Sequence, residues 1–454
     1  MCNEGYTVGG VTHTFESVLD AIGGTPLIRL RRITAGLTTP VYLKAEFLNP
    51  GSSVKDRAAL GMVLAAERDG SLRPGGVIVE GTSGNTGVGL TLIAAHRGYR
   101  AIVVVPDKSS PEKLAALRAY GAEVVVTTSA VPRDDPRHVS QLAARLARET
   151  PGGWLADQYD NPANPAAHFD TTGPEIWEQT GGRVTHFVAG IGTGGTVSGT
   201  GAYLKKAGGV RIVGADPATS VYGGGDGSPY FVESVGHYLH PQTVEDNWPL
   251  SYHRDVLDRI ERIGDRESIG TVRALAREEG LLVGGSSGTA VAAALRIARE
   301  LGPDDLVVVL APDSGRAYLS KYFDDDWLLR TGFLESPEGP RVADALRSPA
   351  APTAVPSTAT VGEARAALGD GPALVVLPRA TDATSWSLGD VVGSLTADAL
   401  AGEPGDAPIT AWIRPPLPTV GSGEPVSRVA PGPGPVAVVT DGRIVTVVAR
   451  EHLG

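Results

Sequence analysis

The sequence predicts a doubly wound α/β fold with a mainly parallel sheet, followed by small α/β units at the C-terminal end. Three observations carry that expectation. From residue 76, short Val/Ile-rich runs alternate with Ala/Leu/Glu/Arg-rich helical stretches; each run ends in Gly, Ser or Pro; and beyond residue 334 the composition turns Pro/Ser/Ala-rich before a faint repeat begins. A length of 454 residues fits two or three domains rather than one.

Taken in chain order, the first element of interest is a helix beginning near Lys55, within "EFLNPGSSVKDRAAL" (46–60), with Leu60, Val63 and Leu64 as its apolar stripe. Ser53 is expected as its N-cap, with Asp56 three residues on as a short-armed capping box. Lys55 then lies in the first turn, where the helix dipole disfavours an ammonium by up to about 1 kcal/mol. Buried strands follow at "GVIVE" (76–80), "AIVVVP" (101–106), "AEVVVTT" (122–128), "THFVAG" (185–190), "VRIVGADP" (210–217) and "DLVVVLAP" (305–312). Ligands of such sheets bind at the carboxyl ends of the strands, and many of the 59 glycines cluster there. The last hundred residues hold the repeat: "VPSTATVGEARAAL" and "ALVVLP" are echoed by "LPTVGSGEPVSRVA" and "PVAVVTDGRIVTVVA", with Val375 and Val438 in matching places and Asp-Gly marking a hairpin. The expected division is residues 1–335, a linker over 336–353, and a module over 354–454.

Composition removes several function classes. The net charge of −11 is spread along the chain with no basic cluster, which argues against nucleic acid. No apolar run reaches membrane-spanning length, and the first residues lack a signal-peptide pattern, so a cytoplasmic protein away from membranes is expected. Cys2 is the only cysteine, so a disulfide framework or a thiolate metal cage is not expected.

Three glycine-rich turns accompany Lys55. "EGTSGNTGVGL" (80–90) joins a strand to a helix, so its amides and the Thr82, Ser83 and Thr86 hydroxyls converge on one anion, beyond what a tight turn requires. "GIGTGGTVSGTG" (190–201) satisfies G-x-G-x-x-G, and Asp216 ends the next strand as a dinucleotide site would want; a single phosphate monoester fits the same loop equally well. "GGSSGTA" (284–290) opens a third helix, where two serines can also serve as simple caps. One ligand uses all four features: pyridoxal phosphate, with a carbonyl for Lys55, a phosphate for the second loop and a ring to be oriented. The unfavourable place of Lys55 then has a purpose, since a depressed amine pKa supplies a neutral nucleophile and base.

Over residues 16–334 the chain resembles the fold-type II pyridoxal-phosphate β-replacement enzymes, the cysteine synthases and cystathionine β-synthases. "GGTPLIRL" (23–30), "NPGSSVKDRAA" (49–59), "TSGNTGVGL" (82–90), "DQYDNPANPAAHFDTTGPEIW" (157–177), "GIGTGGTVSG" (190–199) and "EEGLLVGGSSG" (278–288) recur there in this order. The resemblance implies doubly wound sheets in two subdomains, and it implies roles. Lys55 carries the cofactor as a Schiff base and moves the Cα proton. Asn85 bonds the ring 3′-oxygen, Gly192, Thr193, Gly194, Gly195 and Thr196 hold the phosphate, and Ser286 faces the ring nitrogen. Thr82, Ser83, Thr86 and Gln158 grip the substrate carboxylate.

Within that family "PDKSSPEKLAALRAYGAE" (106–123), "DSGRAYLSKYFDDDWLLRTGF" (313–333) and the C-terminal repeat look like cystathionine β-synthase, the repeat resembling a tandem CBS-type module. The expected reaction joins serine and homocysteine to cystathionine, with Glu233 in "VESVGHYL" (232–239) as a charge partner on the homocysteine side. The alternative is a cysteine synthase using O-acetylserine and sulfide; an NAD-dependent oxidoreductase and an inactive ligand-sensing protein stand behind both. The expected partners are small amino-acid substrates and further copies of the chain, as a homodimer or homotetramer. Departures are Gly81 where many relatives carry Pro and Ser234 where Gly is usual. The haem-binding extension of animal relatives is missing, and Cys2 and His13 lie too near the core to replace it, so neither haem nor a bound metal is expected. In the repeat, Ala399 follows Thr396 by three, and Ala449 and His452 stand in the second copy's corresponding places, so neither copy keeps the acidic residue that such modules commonly offer a ribose.

Overall fold

The computed structural model describes residues 15–82, 84–107, 109–129, 131–243, 246–346, 349–369, 371–379, 384–430 and 432–453. Ten strands come first: β1 (Leu27–Arg29), β2 (Val41–Ala45), β3 (Val77–Gly81), β4 (Arg100–Pro106), β5 (Glu123–Thr127), β6 (Gly153–Leu155), β7 (His186–Gly190), β8 (Arg211–Pro217), β9 (Arg259–Ile263) and β10 (Val307–Ala311). They build two sheets, one of order β5-β4-β3-β6 and all parallel, the other β1-β2-β10-β7-β8-β9 and parallel except for β1. All six sequence-expected runs are strands, with ends displaced by two residues at most.

Strand order explains where a ligand can sit. From β3 the chain steps outward to β4 and β5, then returns to place β6 on the other side of β3. From β7 it steps to β8 and β9, then returns to place β10 on the other side of β7. Each reversal opens a crevice at the carboxyl ends of the strands, and the 82–84 turn and the 190–196 loop leave from those two crevices. Behind the larger sheet the helix Gly285–Ala298 is buried at every residue except Arg296, so it behaves as a central core helix rather than an amphipathic one. Its Val291 and Leu295 pack in one cluster with Leu43, Val188, Val213 and Val309 from four strands.

The helix from Lys55 to Asp69 is fixed at its start by buried charge. Arg57 Nε donates to Glu46 Oε2 at 2.8 Å and its two terminal nitrogens reach Glu175 at 2.7 Å each, while Lys44 Nζ reaches the same Glu175 at 2.8 Å. The expected capping box does not form. The N-cap is Val54; Ser53 Oγ accepts from the Lys55 amide at 3.2 Å, but Asp56 turns back to the Gly51 amide at 2.6 Å. Ser52, at φ +63, folds the preceding turn so that this amide lies within reach.

The remaining strands are β11 (Ala354–Pro356), β12 (Ala373–Val376), β13 (Trp386–Ser387), β14 (Val391–Leu395), β15 (Thr419–Gly421), β16 (Pro435–Thr440) and β17 (Arg443–Ala449). The sequence repeat is a structural one: β11 pairs parallel with β12 and β12 antiparallel with β14, as β15 does with β16 and β16 with β17. Val355 faces Val375 and Val420 faces Val438, and the register shifts directly after both Val375 and Val438. Asp441 and Gly442, at φ +48 and +72, form the turn expected between β16 and β17. Within the stretch expected as a linker, Val342 in the short helix Val342–Ala345 is buried with Val420, Val436, Val438 and Leu453. The Pro/Ala/Ser content of that stretch forbids long elements but leaves enough apolar surface to pack.

This module lies against the first part of the chain. Gly442 abuts the Phe231 ring so closely that a Cβ there would overlap it. Arg266 binds Asp441 at 2.5 Å as well as the carbonyls of Gly332 and Phe333, and Arg379, paired with Asp390 at 2.7 Å, donates to the Leu239 carbonyl at 3.0 Å.

Candidate active site

One pocket joins the two crevices. It is lined by Val54, Lys55, Asn85, Gly190, Gly192, Thr193, Gly194, Thr196, Ser234, Ser286, Leu310 and Pro312. Lys55 and Asn85 are each the first residue of a helix, so helix starts set both side chains at the mouth of the same cleft. Burial drives the Lys55 amine down to about 8, with the Asp313 and then the Glu80 carboxylates holding it partway up.

Asn85 is not free. Its Nδ2 donates to Asp313 Oδ2 at 2.7 Å, and Tyr318 OH donates to the same oxygen at 2.5 Å, while Asp313 Oδ1 is buried without a partner. Burial pushes the Asp313 carboxyl up, against the Lys113 charge and these hydrogen bonds. Sequence reasoning assigned Asp313 no role; the signal was an acid two residues beyond the end of β10, at the ligand-binding edge of the sheet. Glu80, which ends the equivalent run of β3, was also missed. It is buried, and that burial with the neighbouring Asp157 raises its carboxyl to about 8.

The 190–196 loop closes tightly. Gly194 takes φ +86 with the Tyr252 side chain directly against it, leaving no room for a Cβ, and Gly195 starts the next helix. Tyr222 OH donates to the Gly192 carbonyl at 3.1 Å. Gly192 to Thr196 thus present a rigid turn at a helix N-terminus, an arrangement suited to phosphate. Asp216 Oδ2 accepts the Gly223 amide at 2.8 Å, its Oδ1 is buried without a partner, and Asp216 does not line this pocket. Ser286 is 1 % exposed, lines the pocket, and its Oγ has no partner.

Thr82, Thr86 and Gln158 are buried beside this pocket without lining it; Thr86 Oγ1 donates to Gln158 Oε1 at 2.5 Å, and Thr82 Oγ1 accepts from the Gly84 amide at 3.2 Å. Ser83 lies outside the described residues. Glu233 is not in the pocket lining: Lys113 at 2.6 Å and Lys321 clasp its two oxygens, and against the upward push of burial they hold the carboxyl below its ordinary value. Ser234 lines the pocket at φ +68, a left-handed backbone in which glycine carries no Cβ penalty, which explains why glycine is the residue to expect there. At Gly81 a Cβ would stand 2.7 Å from the Val139 carbonyl, so the missing side chain admits the Val139–Glu149 helix.

A buried amine, an unpartnered hydroxyl in the same pocket and a glycine-rich loop at a helix N-terminus form the donor set that pyridoxal phosphate requires, and the residues present fit it. Among the described residues no group of His, Cys, Asp and Glu is placed to hold a metal, and no helix is long and apolar enough to cross a membrane.

Comparison with known proteins agrees with this fit. The profile of the family described as "Pyridoxal-phosphate dependent enzyme" matches residues 18–313. The chain is 43% identical over 330 residues to the cystathionine beta-synthase of Apis mellifera, covering 72% of this chain and 65% of that protein. It is 44% identical over 330 residues to that of Oryctolagus cuniculus, covering 71% and 58%. The chain therefore spans less than two thirds of the length of these relatives. A solved structure of O-ureido-L-serine synthase, 39% identical, superposes with a TM-score of 0.63 over 70% of this chain and 99% of that one.

Proposed function

The chain belongs to the family of pyridoxal-phosphate dependent enzymes, and from that premise we propose that it performs β-replacement on L-serine, or an O-activated serine, with a thiol, condensing serine and homocysteine to cystathionine and water. Ser286 is the observation that carries the reading. Its neutral hydroxyl lines the pocket without a partner; facing the ring nitrogen, as the resemblance implies, it would leave the ring unprotonated and favour loss and replacement of a group at Cβ over deeper carbanion chemistry. The cofactor supplies an electron sink for the bond broken at Cα.

The chain's own residues do the rest. Lys55 holds the cofactor, then takes the Cα proton and, as the ammonium so formed, protonates the departing serine hydroxide. An amine near 8 is matched to both tasks. Asn85, braced by Asp313, orients the ring, and residues 192–196 hold the phosphate. Thr82, Ser83, Thr86 and Gln158 bind the substrate carboxylate, the Thr86–Gln158 bond joining the first turn of the Asn85 helix to the stretch after β6.

Cystathionine formed from serine and homocysteine by the purified protein, at a rate at least comparable to cysteine from O-acetylserine and sulfide, is the expected result. A sulfide reaction faster by orders of magnitude would reverse the order of the two. That second reading is favoured by Glu233, whose charge is already countered by two lysines, which weakens its pull on the ammonium of homocysteine. The resemblance alone supports a homodimer or homotetramer. The twofold strand pattern after residue 354 supports a degenerate CBS-type pair.

A further inference from the structure

The phosphate loop is backed by a segment whose hydrogen bonds have a direction. The short helix Ala163–Ala167 runs into a π-helical turn, His168–Thr172, and two of its side chains reach the loop threonines that line the pocket. Asn164 Nδ2 donates to Thr193 Oγ1 at 3.2 Å and to the Gln158 carbonyl at 2.7 Å; the Gly195 amide also donates to Thr193 Oγ1 at 3.4 Å. With its oxygen receiving two donors, Thr193 keeps its own proton for the pocket. At Thr196 the partner is His168 Nε2 at 3.2 Å, while His168 Nδ1 meets Thr172 Oγ1 at 2.9 Å.

Thr196 has one proton. If it gave that proton to Nε2, only lone pairs would face a phosphate dianion, which has no proton to return. If Nε2 carries the hydrogen, Thr196 accepts from behind and donates in front, as Thr193 does, and Thr172 donates to Nδ1. The ring is fully buried, and burial together with the charges of Lys55 and Arg57 keeps it neutral, so one nitrogen must donate and the other accept.

We propose that Asn164 and His168 are positioning residues that fix the proton direction of Thr193 and Thr196, with His168 in its Nε2–H tautomer, so that both hydroxyls donate to the cofactor phosphate as a dianion. The proposal rests on the assignment of residues 192–196 as the phosphate cradle.

Cofactor affinity and the 31P resonance of the bound phosphate test it in the holoenzyme. His168→Leu is expected to weaken pyridoxal-phosphate binding by about tenfold or more and to move the 31P signal toward the monoanion position, whereas His168→Gln, with an amide donor in the Nε2 place, stays within about threefold and keeps the signal. In a Thr196→Val background His168→Leu adds nothing further. Equal losses for Leu and Gln, or an undiminished loss in that background, overturn the proposal. Should these variants not fold, 15N-histidine spectra of the wild-type holoenzyme decide alone: a buried neutral ring protonated at Nε2 supports it, and one protonated at Nδ1 overturns it. If Thr196→Val by itself leaves affinity and 31P signal unchanged, the cradle assignment has failed instead.

Discussion

Lys55 is the residue on which the proposed chemistry converges, and its environment makes a prediction with a sign. Capture of pyridoxal phosphate by the apoenzyme needs the neutral amine. With the amine near 8, about one lysine in ten is neutral at pH 7, against well under one in a thousand at the ordinary value. The rate of reconstitution should therefore rise about tenfold per pH unit up to about 8 and flatten above it, as stopped-flow absorbance would record. Asp313→Asn removes the nearby charge that most favours the ammonium, so that midpoint should move lower, and Asn85 loses its anionic brace; a midpoint that rises would contradict the assignment. Lys55→Ala should abolish both the Schiff-base absorbance and turnover, and retained activity would move the site elsewhere. Lys55, Asn85 and Ser286 could be singled out because each lies in or after a glycine-containing turn, and the structure brings all three into the lining of one pocket. Asp313 and His168 were not, since a lone acid after a strand and a histidine in a helix have many uses, and only the fold brings them to Asn85 and Thr196.

At the scale of elements, legibility followed burial. Parallel strands covered on both faces read as unbroken apolar runs, as β10 does over its whole length and β4 does from Ala101 to Val105. β9, Arg-Ile-Glu-Arg-Ile at the edge of its sheet, and the three-residue β6 carry too little of that signal to be found. The Asp441-Gly442 turn was legible as a hairpin, but its docking on Phe231 was not, because the sequence does not say what a turn faces. Gly442→Ala tests that docking. The left-handed backbone and the overlap with the ring together should cost about 1–3 kcal/mol, seen as a thermal midpoint lower by several degrees with pyridoxal-phosphate content unchanged. An unaltered midpoint would mean that the hairpin tip and the Phe231 stretch do not support each other.

For the whole molecule, the Pro-rich change after residue 334 marks an expected linker and module, and residues of that module touch the first part of the chain at Phe231 and Arg266. Removal of residues 340–454 should leave Lys55, Asn85 and Ser286 able to hold cofactor, but it uncovers the Phe231 ring and the last turn of the Asp325–Arg330 helix, where Gly421 packs. A lower thermal midpoint with an intact cofactor spectrum is the expected outcome. S-adenosylmethionine should change the rate little, because without an acidic residue at Ala399, Ala449 or His452 a ribose forgoes a charge-assisted hydrogen bond of about 1.5–3 kcal/mol, or about ten- to a hundredfold in affinity. Micromolar binding by titration calorimetry, with activation, would refute that. The strand order of the larger sheet has a consequence in time. β10 lies between β2 and β7 yet is made about 120 residues after β7, an interval of about 6–24 s on a ribosome. Throughout it the nascent chain holds two strands whose inner edges have no partner, so chains halted near residue 300 should be clients of chaperones and prone to aggregate, whereas those released after residue 335 should not.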